Sequence, residues 1–284
     1  MDQVQYHRRR ILSIGASTLC TGTLCTGTLC HSSLDGGFQS CNVSENPGTI
    51  LMCGGGKLPD SVLDRFCELS NAENSTLVLI PTASARSDSG DYSPWLELWQ
   101  SRGWQEVLVV HALDAQAAKD QHFGESIDRA KAVWITGGDQ SRLAERFGGT
   151  ALVEKLNNLL RRGGVLGGTS AGAAILSKNM IADGASEPSM SEGFGLLPNL
   201  IIDQHFTQKN RFERLAKAVD KHKQLIGIGI DESTGLELNG SNAKVLGLGR
   251  VHAYRDPSKP VGWSQEDPID PSLWPELFVA SWAN

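Results

Sequence analysis

The chain has 284 residues, of which 40% are hydrophobic and 20% charged, with a formal net charge of −6. Those values describe a soluble globular protein with room for one large α/β domain or two small ones. They argue against nucleic-acid binding, which wants a clustered basic face, and beyond the first thirty positions no run of 18 apolar residues is present to span a membrane.

In chain order the first feature is a leader rather than a folded element. "HRRRILSIGASTLCTGTLCTGTLC" carries a basic cluster, Arg8 to Arg10, followed by a weakly apolar stretch poor in charge. That is the order of regions in an export signal, and the arginine pair before Ile11 and Leu12 is similar to a twin-arginine motif. The threonines and glycines of the repeated "TLCTG" make a poor apolar region, so the competing reading is a disordered tail. Residues 1–47 are expected to form a leader, with export to the periplasm or exterior favoured over a cytoplasmic location. Cys20, Cys25, Cys30 and Cys41 lie within it; the first three each follow a leucine, where lipid attachment would want a small residue. Only Cys53 and Cys67 remain for the body. Two cysteines make no disulfide framework, and without CxxC or Cys/His spacing they offer no zinc site.

The body is expected to be one domain, residues 48–284. "TILMC" reads as a buried strand running into the glycine loop "GGGK" and a helix with apolar Val62, Leu63, Phe66 and Leu69. "STLVLIPTAS" is a second buried strand, "PWLELWQSRGW" a helix and "EVLVVHAL" a third strand. "AVWITGGDQSRLAERF" and "GGVLGGTSAGAAILS" each repeat strand, glycine turn and helix. "LIGIGIDEST" is a later buried strand. "GLELNGSNAKVLGLGRVHAY" reads as successive antiparallel strands joined by Asn-Gly and Gly-Arg turns. Strands that are continuous apolar runs and alternate with helices predict an α/β fold: a mostly parallel sheet covered on both faces, in three layers, with late antiparallel strands. Ligands of such sheets gather beyond the carboxyl ends of the strands, which singles out "GGGK", "PTAS", "TGGDQ" and "GGTSAG".

Gly168-Thr169-Ser170-Ala171-Gly172 fits G-x-S-x-G and sits between a buried strand and a helix, as that motif requires. A tight turn there lifts the Ser170 hydroxyl clear, and the Ala171 amide can donate to a developing oxyanion. In "TGGDQ", Gly137 or Gly138 is the candidate for the second oxyanion donor, while Asp139 reads equally well as a helix N-cap. A serine nucleophile needs a base. His205 ends the apolar run of "NLIIDQHFTQ", a strand-end position like that of Ser170, whereas His111, His122, His222 and His252 stand in polar loops, a charge run or a late strand. The carboxylate that would orient the imidazole is open among Glu232, Asp183, Glu187 and Asp203. Glu232 is favoured because it ends another buried strand. "CGGGKLP" lacks phosphate-loop spacing, so its glycines are expected to let backbone pass close to a substrate.

Together, "ITGGDQSRL", "GGTSAGAAILS", "GLLPNLIIDQHFTQKNRFERL" and "IGIGIDEST" resemble the S51 serine peptidases, the family of cyanophycinases and aspartyl dipeptidase, over residues 48 to 240. The resemblance implies a class I glutamine amidotransferase-like fold with serine in place of cysteine, and hydrolysis of aspartyl-linked, β-aspartyl peptides without metal or cofactor. It assigns Ser170 as nucleophile, His205 as base and Glu232 as acid, with Gln140, Asp203 and Gln204 lining the pocket and Lys209, Arg211 and Arg214 as its basic side chains. Lysine stands where an arginine is usual, and an ammonium cannot make a bidentate guanidinium contact. "GASEPSMSEG" and the last forty residues depart from the pattern. The partners expected are a peptide or dipeptide and a second copy in a homodimer. Two other readings stay open, an α/β-hydrolase-type esterase and a non-catalytic binding protein on the same fold.

Overall fold

The computed structural model describes residues 48–120, 122–240 and 242–269. The expected leader with its four cysteines, and residues 270–284, lie outside them. The strands are β1 (Thr49–Cys53), β2 (Thr76–Ile80), β3 (Glu106–Val109), β4 (Ala132–Ile135), β5 (Val165–Thr169), β6 (Asn179–Asp183) and β7 (Ser189–Glu192). They continue with β8 (Leu200–Gln204), β9 (Ile226–Ile230), β10 (Thr234–Asn239), β11 (Asn242–Gly247), β12 (Val251–Tyr254) and β13 (Val261–Trp263). The helices are α1 (Asp60–Ser70), α2 (Ser93–Gln100), α3 (Ser126–Arg129), α4 (Gln140–Phe147), α5 (Ala151–Arg161), α6 (Ala171–Ala174) and α7 (Phe212–Lys221). Among the described residues no helix is long and apolar enough to cross a membrane.

The apolar runs become strands because alternate side chains bury on opposite faces. Ile50 and Met52 of β1, Val78 and Ile80 of β2, and Val133 and Ile135 of β4 pack with Leu143, Phe147, Leu156 and Leu159 of α4 and α5. Their neighbours Leu51, Leu77, Leu79 and Trp134 turn the other way, onto Phe66 of α1 and Trp99 of α2. Helices therefore cover both faces, and each large side chain taken from water contributes about 2–3 kcal/mol.

The main sheet runs in the order β11-β10-β1-β5-β4-β2-β3. Its β1, β5, β4, β2 and β3 are parallel, and β10 and β11 add an antiparallel edge. β8 and β9 do not join it. They pair in parallel within a second sheet, β13-β12-β9-β8, whose Ile202, Ile228 and Ile230 pack on the shared core while α7 covers the far face through Leu215, Ala218 and Val219.

One sequence expectation is corrected here. β10 and β11 form the antiparallel hairpin at Asn-Gly, but β12 does not follow as its third strand. It crosses to pair with β9. Side chains near the crossing draw it over: Gly249 N–H donates to Thr234 Oγ1 at 2.8 Å, and Arg250 N–H to Asp231 Oδ2 at 3.1 Å.

Candidate active site

The carboxyl ends of β1 and β5 in one sheet meet those of β8 and β9 in the other, and the loops there bring Ser170, His205 and Glu232 together. Ser170 joins β5 to α6 at φ 53°, ψ −113°. A side chain in that region is strained by about 1–3 kcal/mol, and the surroundings enforce it. A Cβ at Gly168 would strike the Gly172 carbonyl, and one at Gly172 the Ile135 carbonyl, so the two glycines let β5, α6 and β4 close around the serine.

His205 follows β8 and Glu232 lies just beyond β9. Ser170 Oγ and His205 Nε2 are 2.9 Å apart, and His205 Nδ1 and Glu232 Oε1 are 2.5 Å apart. A carboxylate only accepts, so Nδ1 carries the proton and Nε2 is left to accept from the serine hydroxyl. Burial pushes the imidazole below its ordinary pKa of 6.5; the Glu232 bond opposes this, while Lys209 and Arg211 add to it. The ring is therefore neutral at pH 7, the state a base requires.

Three successive carbonyls hold this line together. Cys53 O accepts Ser170 N–H at 2.9 Å, Gly54 O accepts His205 N–H at 2.7 Å and Gly55 O accepts Ser233 N–H at 2.9 Å. His205 and Ser233, like Ser170, have positive φ, 50° and 57°. A Cβ at Gly55 would strike the His205 ring, and one at Gly56 would lie 2.9 Å from Glu232 Cβ. The glycines of "GGGK" thus pass beside the imidazole and the carboxylate, a role that reading them as a substrate approach missed. Gln208 was also missed; its Oε1 accepts Glu232 N–H at 2.8 Å. The run of three glycines was the available signal for the first, and nothing in the sequence marked the second.

The remaining candidates divide. A Cβ on Gly137 would lie 3.3 Å from Ser170 Cβ, whereas Gly138 packs against the backbone of Ala83 and Ser84. Asp139 does cap α4, accepting Ser141 N–H at 2.8 Å. Gln140 is buried and its NH2 donates to Ile181 O and Ala182 O at 3.0 and 2.7 Å. Asp203 is 1% exposed and accepts at both oxygens from the Arg214 guanidinium, and at Oδ1 from Arg211 Nη1 at 3.1 Å. Arg214 is itself buried, also donating to Gly184 O at 2.5 Å. Arg211 is half-buried and also bonds Gln204 Oε1 at 2.9 Å, and Lys209 is exposed. Of the carboxylates weighed against Glu232, Asp203 is committed to arginines, Glu187 pairs on the surface with Lys217, and Asp183 ends β6; the one hydrogen-bonded to His205 is Glu232.

A serine hydroxyl raised on a strand-to-helix turn and facing a neutral imidazole, in an α/β sheet covered on both faces, defines a serine-type hydrolase. Known relatives narrow the class. Residues 50–246 match the family model described as Peptidase family S51, and the chain belongs to that family. It is a serine-type peptidase, acting on peptide substrates. The cyanophycinase of Geminocystis herdmanii (strain PCC 6308) is 32% identical over 224 residues, 73% of this chain and 81% of that protein. The cyanophycinase of Synechococcus elongatus is 32% identical over 221 residues, 73% and 68% of the two chains. Among solved structures, a peptidase from an acI-B1 Actinobacterium superposes with a TM-score of 0.64 at 24% identity, over 79% of this chain and 97% of that one. That likeness is one of fold, and it agrees with the three-layer, class I glutamine amidotransferase-like architecture.

Proposed function

We propose that this peptidase hydrolyses aspartyl-linked, in particular β-aspartyl, peptides through Ser170, His205 and Glu232. The observation that carries the reading is the continuous line of hydrogen-bond distances from the Ser170 hydroxyl to the Glu232 carboxylate, 2.9 and 2.5 Å. Ser170 Oγ attacks the scissile carbonyl carbon as its proton passes to His205 Nε2, and Glu232 supports the imidazolium. The oxyanion is held by the amides of Ala171 and of Gly137, the glycine that abuts the serine. His205 then protonates the leaving amine, and water, deprotonated by the same nitrogen, releases the acid and restores Ser170.

Lys209 and Arg211, on the segment after the base, are the cationic groups we assign to the substrate's carboxylates. Asp203 and Arg214 are assigned to holding Arg211 in place, because their own bonding capacity is spent on each other. The cyanophycinase relatives support an aspartyl substrate. The test is a panel of β-Asp-Arg, β-Asp-Lys and α-Asp dipeptides offered to the wild type and to Ser170→Ala. Turnover of the β-linked members by the wild type alone is expected; equal turnover by a folded Ser170→Ala protein would refute the mechanism, and none by either would refute the substrate class.

A further inference from the structure

β8 and β9 run side by side up to the register pair Gln204 and Ile230, and one more ladder bond follows, Phe206 N–H to Ile230 O at 3.1 Å. Beyond it the positive φ of His205 has turned the chain, and the next amide, Thr207 N–H, meets no strand carbonyl. It meets a side chain. Asp231 Oδ1 accepts it at 3.0 Å, and Asp231 Oδ2 accepts Arg250 N–H at 3.1 Å. The backbone of Asp231 in turn donates to Arg250 O at 3.1 Å.

One carboxylate therefore stands in for a missing rung. It ties the turn after the base to the residue before the acid, and both to the start of β12. We propose that Asp231 is a positioning residue for the reaction: it sets the distance from His205 to Glu232 without touching the substrate or the reacting atoms. The inference rests on the mechanism proposed above.

Both partners of Asp231 are N–H donors, so the side chain must accept at both oxygens. Burial alone would favour its protonation, but the nearby His252 ring and the bonds from Thr207 and Arg250 outweigh that and hold its pKa at about 2. His252 Nε2 lies 3.8 Å from Oδ1, too far for a hydrogen bond. Phe206, 5.1 Å from the His252 ring, closes the far side. An asparagine at this position keeps the shape, yet it turns one acceptor into a donor that faces an N–H.

The experiment uses full-length Asp231→Asn and Asp231→Ala proteins. Their readouts are the rate of Ser170 labelling by a fluorophosphonate, kcat and KM on a β-aspartyl dipeptide, and the low-field proton resonance of the His205–Glu232 hydrogen bond. A misplacement near 1 Å costs about 100-fold in rate. Labelling and kcat of Asp231→Ala are expected to fall by about that factor with KM unchanged, Asp231→Asn to fall between, and the resonance to shift in both. If Asp231→Ala fails to fold, Asp231→Asn, which retains volume and one acceptor, carries the same readouts. A folded variant that labels at the wild-type rate with an unshifted resonance overturns the role of Asp231 and leaves the nucleophile standing. A wild type that does not label overturns both.

Discussion

At the exits of β5, β8 and β9, Ser170 Oγ, His205 and Glu232 stand in line at 2.9 and 2.5 Å. Two and three strands further along the main sheet, Thr82 Oγ1, His111 and Asp88 stand in a similar line at 2.9 and 3.3 Å. By residue type and distance the two constellations are near twins, and a cavity of about 320 Å³ even opens beside the second, lined by Asp88, His111, Tyr92 and Leu113 among others. Their bonding separates them. Thr82 is fully buried and its backbone is not lifted into positive φ, so no carbonyl carbon can reach its hydroxyl. His111 Nε2 is misaligned toward Asp88 and has no hydrogen-bond partner among the described residues. Asp88 is claimed instead by Arg142, with both oxygens at 2.7 Å, and by Arg146 at 2.8 Å.

A carboxylate already neutralised by two guanidiniums cannot support a developing imidazolium, and one whose bonding to the reacting line is a single histidine can. The Asp88 cluster does a different task. It ties α4, which carries Arg142 and Arg146, to the loops after β2 and β3, and α4 begins beside Gly137. The mechanism proposed for the first constellation asks it to move a proton, whereas the second is bonded so as to hold backbone.

The sharpest way to break this contrast is to remove each hydroxyl. Ser170→Ala is expected to lower kcat by on the order of 10⁶, and Thr82→Val to leave turnover at the wild-type level in a peptidase assay. A large loss in Thr82→Val would mean the two clusters are not distinct in role. Next in size is the carboxylate. Glu232→Gln no longer fixes the tautomer with the proton on Nδ1, and a loss of about 10⁴ in kcat is expected. Because the imidazole of His205 is held below 6.5, the wild-type kcat/KM should be flat at neutral pH and fall only on the acid side of that value. A midpoint above 6.5 would contradict the burial that sets it.

Much of this arrangement was legible in the residues, and the exceptions share a cause. Continuous apolar runs such as "TILMC" and "AVWI" mark buried strands because burial on both faces leaves no polar position. They do not say which sheet a strand joins, and "LIIDQ" and "IGIGI" turned out to build a second one. Nor could a local pattern show that Val251–Tyr254 would leave its hairpin, since the bonds that redirect it come from Thr234 and Asp231, distant in the chain. At the site, Ser170, His205 and Glu232 could be placed because each is a polar residue at the end of an apolar run. Asp203 and Arg214, which the family resemblance places at the pocket, are bonded to each other in the fold, for nothing in a sequence states whether a charge is already paired. The glycines after β1 carried a signal of close approach but not of what approaches.

Those glycines supply the next test. Gly55 has φ 97° and no room for a Cβ against the His205 ring. Gly55→Ala should displace the imidazole from Ser170 and lower kcat by about 100-fold, with KM on a dipeptide little changed. The Asp88 cluster has no comparable loop, so the melting temperature should move less than activity does. Wild-type kcat in folded Gly55→Ala would show that the loop merely passes by.

The smallest effect belongs to the second cluster and is one of stability. Burial, with Arg142 and Arg146 nearby, pulls the pKa of His111 to about 4 from its ordinary 6.5, against the opposing pull of Asp88. Tyr92, its ring centroid 6.0 Å away, and Thr82 complete its surroundings. Between those two values the unfolded chain binds a proton that the folded chain refuses, so folding loses free energy as pH falls. The contribution of neutral His111 is complete above 6.5 and is withdrawn as pH drops from 6.5 toward 4, by on the order of 3 kcal/mol in all. Asp88 stays ionised through that window because its arginines hold it well below the usual carboxylate range, and Asp231, at about 2, titrates beneath it. His205 is shifted in the same direction, so the wild type should melt progressively lower from pH 7 to 4.5, and His111→Gln should remove part of that slope while leaving the acid limb of activity in place. Parallel melting curves for the two proteins across the window would show that His111 is not the buried neutral group the cluster requires.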